Sequence, residues 1–83
     1  MERNEFPLYR KTRDDRHFFR IDGPDRFMEI QRIGTRAIRH LVDGGAYPER
    51  VRIDEMIRMA EGRYVQSTEQ EFQAALQETT ARP

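Results

Sequence analysis

His17 and His40 are the side chains of this chain best suited to proton transfer or metal ligation near neutral pH. Asp14, Asp15 and Asp43 lie close to them in sequence, so a mixed His–Asp site requires only that their segments be neighbours. The spacing fits no known ligand pattern, and a structural role for both rings is the simpler reading. The chain contains no cysteine, which removes thiolate ligands, cysteine nucleophiles and disulfides from consideration. Ser67 is the sole serine, and it stands where a helix cap is needed. The adjacent carboxylates Asp54 and Glu55 have Arg50 and Arg58 at helical pairing distance, the pattern of solvated ion pairs rather than an acid–base dyad. The five glycines are scattered and have no phosphate-loop spacing. The sequence therefore assigns no catalytic residue, no cofactor and no metal, and it reads as a non-enzyme.

Binding residues are better represented. Tyr9, Arg10, Arg13, Phe18 and Arg20 fall on two adjacent extended segments, and Arg36 and Arg39 on another. Guanidinium groups and rings on an open sheet face are what single-strand nucleic-acid modules use, the first for phosphate and the second for base stacking. Opposing this, Glu2, Glu5, Asp14 and Asp15 are interspersed and the formal net charge is zero. Arginine stems lying over apolar surface explain the same residues without a ligand. Tyr47, in the stretch Gly44-Gly45-Ala46-Tyr47-Pro48, is either an interface anchor or a ring packed at a helix entry, and packing is expected.

The elements that must position these groups are marked by local signals. Residues 7–13 and 16–21 alternate as two strands joined by a turn at Asp14-Asp15, with His17, Phe19 and Ile21 on one face and Phe18 and Arg20 on the other. Asp22-Gly23-Pro24-Asp25 punctuates the chain and permits two continuations. Either Pro24 opens a helix carrying Phe27, Ile30 and Ile33, or a hairpin turn leads into a strand with Met28 and Ile30 inward and a second turn at Gly34-Thr35. Met, Glu, Gln and Arg tip the expectation towards helix. Residues 35–42 read as a strand covered in part on both faces.

Ile53, Met56, Ile57 and Ala60 make an apolar stripe at helical period, opened by Pro48 and stopped by Gly62. Tyr64-Val65-Gln66 is a short strand, and Ser67 or Thr68 then caps a helix whose stripe is Phe72, Ala75, Leu76 and Thr79. The expected core is Phe19, Ile21, Phe27, Ile30, Ile38, Val51, Ile53, Met56, Ile57, Val65, Phe72, Ala75 and Leu76.

These elements predict a single α+β domain over residues 1–83, ordered over 6–79 with loose ends. The architecture is a small, mostly antiparallel sheet with two to three helices packed on one face, a two-layer sandwich. Apolar and charged residues each make up 36% of the chain, so the core is small and an interface with a second copy would add buried surface. Residues 1–42 balance at +3 and residues 43–83 at −3, a mild asymmetry that suits either the two halves lying against each other within the domain or head-to-tail contact between molecules. No apolar run approaches the roughly 20 residues of a membrane helix, and the first residues lack a signal-peptide stretch, so the expectation is a cytoplasmic protein with no membrane partner. The leading expectation is a binding protein acting through protein–protein contact, including a homodimer; the alternative is a single-stranded nucleic-acid module.

Overall fold

The computed structural model describes residues 5–43 and 47–80. Of the expected loose ends, residues 1–4 and 81–83 lie outside the described residues, as do Gly44, Gly45 and Ala46.

Five strands form one antiparallel sheet in the order β4-β3-β2-β1-β5. The first four make a meander: β1 (Leu8–Thr12), β2 (His17–Gly23), β3 (Arg26–Ile33) and β4 (Arg36–Asp43). Helix α1 (Tyr47–Arg58) then carries the chain from the β4 edge to β5 (Tyr64–Gln66), which pairs with β1 at the opposite edge. Helix α2 (Glu69–Thr80) closes the described fold.

The helix expected after Pro24 is not there; residues 26–33 are the central strand β3. Phe27, Ile30 and Ile33 recur at helical spacing while Met28 and Ile30 fit an alternating strand, and helix propensity is a weak prior of a few tenths of a kcal/mol per residue. As a strand the segment hydrogen-bonds to neighbours on both sides and places Phe27 and Ile30, both fully buried, on opposite faces. A helix this short would have had neither advantage. Gly34, at φ 62°, makes the tight two-residue turn between Ile33 and Arg36 that starts β4.

The α+β class and the antiparallel sheet are as the patterning predicted. The two helices pack on this one sheet through separate clusters. Phe19, Ile21 and Phe27 pack with Ile53 and Met56 of α1. Phe18 and Ile30 pack with Phe72 and Ala75 of α2. Phe18 and Phe19 are consecutive in β2 and point to opposite faces, so each helix covers its own face of the sheet.

Helix α1 ends before Gly62. Met59 takes the left-handed conformation (φ 53°, ψ 49°), and a single 3-10 turn, Ala60–Gly62, leads into β5. The last-turn carbonyls of Met56 and Ile57 accept hydrogen bonds from the Arg10 guanidinium, at 3.0 Å and 3.2 Å. They belong to the last turn of α1, where intrahelical donors run out: the Met56 carbonyl also takes the Met59 N–H at 3.2 Å, and Arg10 supplies the further donors from β1. At the start of α2, Thr68 Oγ1 accepts from the Glu71 N–H at 3.1 Å, while Ser67 Oγ donates to the Glu71 carboxylate at 2.7 Å. Thr68 is thus the cap that the two candidates left open.

Of the expected core, Ile38 (41% exposed) and Val51 (36%) lie at the surface, whereas Phe18 (4%) is buried and belongs to the core instead.

Candidate functional site

The basic and aromatic residues do not assemble into one face. Register and alternation put Tyr9, Phe18, Arg20 and Arg39 on the α2 side, and Arg10 and Arg36 on the α1 side. The Tyr9 ring lies 5.9 Å from Phe72 beneath α2. Burial there pushes the Tyr9 hydroxyl above its ordinary pKa, with Glu69 adding to the rise. Phe18 is covered by the Arg32 guanidinium, 4.6 Å from its ring centroid, and Arg32 is held in turn by two hydrogen bonds to Glu78 at 2.9 Å and 2.8 Å. Arg20 reaches over Phe72 and pairs with Asp22 at 2.9 Å.

Arg10 is buried, and its Nη1 also donates to the Tyr9 carbonyl at 2.9 Å. Burial lowers its pKa, yet its hydrogen-bond acceptors here are backbone carbonyls, and it serves as a brace between β1 and α1. Arg13 donates to the Gly62 carbonyl at 2.6 Å and ties the β1–β2 turn to the 3-10 turn. Arg36 and Arg39 alone of the set stand exposed without a hydrogen bond or ion pair among the described residues.

The two histidines share the α1 face on either side of β3. Glu29 is directly opposite His40 in register, and its carboxylate lies 2.6 Å from His17 Nδ1. Arg52 of α1 approaches the same carboxylate at 3.3 Å and rests over the Phe19 and Phe27 rings. His40 is exposed and bonds Gln31 Oε1 at 3.2 Å. Asp14, Asp15 and Asp43 take no part, and no group of three metal-ligating side chains forms among the described residues. Two shallow depressions are lined by Thr12, Arg13, Asp14, Arg63 and Tyr64, and by Thr68, Glu69, Gln70 and Gln73; neither contains a histidine. The arrangement holds a buried carboxylate between an imidazole of β2 and a guanidinium of α1, joining two strands and a helix at the centre of the sheet.

The strand over residues 35–42, expected to be covered in part on both faces, is instead the largely exposed β4. It is an edge strand of eight residues, paired along its whole length to β3 with no register shift. Helix α2 lies alongside this strand, yet only Ala37 and Val42 are half-buried, and Arg36, Ile38, Arg39, His40, Leu41 and Asp43 are exposed. Leu41 is 66% exposed on the α2 side and Ile38 41% on the α1 side. The other edge, β5, has only three residues. An edge this long and flat, without proline, lysine or bulge, leaves a row of backbone N–H and C=O groups ready to pair. Tyr47, expected to pack at the helix entry, is instead 78% exposed at the start of α1. No helix among the described residues is long and apolar enough to cross a membrane.

Comparison of the chain with protein-family models, with curated proteins and with solved structures gave no match.

Proposed function

We propose that this protein is a non-enzymatic binding module that works through protein–protein contact, accepting a partner strand along the open edge of β4. The observation that carries this reading is the unblocked eight-residue edge with exposed apolar side chains on both of its faces. Strand addition draws affinity from main-chain hydrogen bonds and specificity from alternate side chains, and β4 offers both. Leu41 supplies an apolar contact on one face and Ile38 on the other, with Arg36 and Arg39 available for charged partners. A small core gains from such pairing, because any partner that binds only the folded state stabilises it. A cytoplasmic setting belongs to the same proposal.

Single-strand nucleic-acid binding draws less support. The rings it needs, Tyr9 and Phe18, are engaged with Phe72 and Arg32 rather than presented to solvent.

The test uses a synthetic peptide with the sequence of residues 36–43 as the added strand, titrated into isotopically labelled protein. Backbone amides of β4 shift, and Leu41→Lys protein loses the response. Shifts confined to β5 or the helices, or no shift at millimolar peptide, would overturn the reading.

A further inference from the structure

Resting on that reading of the edge, we infer that the strand received by β4 is the β4 of a second copy, paired antiparallel about a two-fold axis at Leu41. Symmetry restricts the choice. A two-fold axis perpendicular to the sheet maps each face onto itself, so directly opposed residues must lie on the same face and the axis must pass through a residue position. The candidates are therefore few and differ in which side chains meet.

Arg39, Leu41 and Asp43 alternate along one face, opposite Ile30, Met28 and Arg26 of β3. Read in order they present a cation, an apolar side chain and an anion. Laid against itself in reverse about Leu41, that row sets Arg39 against Asp43 of the second copy at both ends and Leu41 against its own mate. An axis at Arg39 opposes two like charges, which is unfavourable for facing residues. An axis at His40 opposes the two imidazoles, places Arg39 against Leu41 and gives Asp43 no cation. An axis at Ile38 faces Arg39 with Ala37. Only the axis at Leu41 pairs unlike charges and covers the most exposed aliphatic side chain of the edge.

The charges are also free to pair. Neither Arg39 nor Asp43 makes an ion pair among the described residues, although Arg26 stands opposite Asp43 in β3. Ion pairs instead occupy many of the other arginines, among them Arg20, Arg32, Arg52, Arg58 and Arg63.

The experiment is sedimentation equilibrium of full-length protein, micromolar to millimolar, on Arg39→Asp, Asp43→Arg, their double variant and an equimolar mixture of the two single variants. Wild type forms a dimer. Each single reversal weakens it roughly tenfold, since two attractive cross-strand pairs become repulsive. The double variant restores the wild-type dissociation constant, and the mixture forms a heterodimer of wild-type strength. Both residues are exposed and make no intrachain hydrogen bond or ion pair among the described residues, and circular dichroism checks the fold of each variant, Asp43→Arg in particular because it faces Arg26. A wild-type chain that stays monomeric at millimolar concentration would overturn the inference. So would dimerisation abolished by Leu41→Lys but indifferent to the charge reversals, which would leave the edge in use with another register. Failure of the peptide to shift β4 at all would sink the edge reading itself.

Discussion

Arg10 Nε donates to the carbonyl oxygen of Met56 at 3.0 Å, joining the middle of β1 to the last turn of α1. Its Nη2 serves Ile57 and its Nη1 serves Tyr9, so one side chain satisfies carbonyls on both elements. A residue whose type pointed to a partner is here a fastening inside the fold.

Replacing Arg10 by Leu removes every one of those donors, taking the side-chain partner from the Ile57 carbonyl and leaving the Met56 carbonyl with the Met59 N–H alone. The expected loss is about 2–3 kcal/mol, because hydrogen bonds to charged groups are worth more than neutral ones. Arg10→Lys recovers only part, since an ammonium cannot span the same acceptors. Urea unfolding followed by circular dichroism measures both; a Leu variant as stable as wild type contradicts the role.

Stability falls on the acid side. The Thr12 hydroxyl and the Arg16 N–H hold the Asp14 carboxyl below its ordinary pKa, and the Ser67 hydroxyl and Lys11 ammonium do the same for Glu71. A depressed folded-state pKa contributes stability above the unfolded value, and that contribution disappears as pH drops through the folded value. The alkaline side follows the opposite sign: Lys11 is raised by its bonds to Asp15 and Glu71, and Tyr9 by burial, so their contributions are lost as pH rises through the folded values. Thermal unfolding across pH maps the two limbs. Combining Asp14→Asn with Glu71→Gln flattens the acid limb, and an unchanged limb would contradict the assignment.

Fluorescence anisotropy with a labelled single-stranded oligonucleotide separates the two binding readings. The structure predicts no binding even at low salt, since the stacking rings are engaged and net charge is zero. Micromolar affinity with a steep salt slope would revive the nucleic-acid reading.

Much of this architecture is legible in the residues because its signals are local. Thr68 and Glu71 mark the start of α2 within a few positions, and Gly34-Thr35 marks a turn wherever the flanking segments go. Residues 26–33 were ambiguous because their apolar spacing satisfies both periods, and the decision was made by β2 and β4 on either side. Phe18 and Arg10 looked like surface because nothing in β1 or β2 says where α1 and α2 will land. Leu41 was hidden for a related reason. Edge and interior strands carry similar patterns, and only the order of the sheet makes β4 terminal.

That terminal strand is best tested by a cysteine introduced at Leu41 into a chain that has none. Residues facing each other across antiparallel strands bring their Cβ atoms to about 4.5–5.5 Å, near enough for a disulfide after small adjustment. Under mild oxidation Leu41→Cys is expected to yield a covalent dimer rapidly, whereas Met59→Cys, exposed elsewhere on the molecule, remains monomeric. A Leu41→Cys protein that stays monomeric, or one that cross-links no faster than Met59→Cys, would contradict pairing through β4.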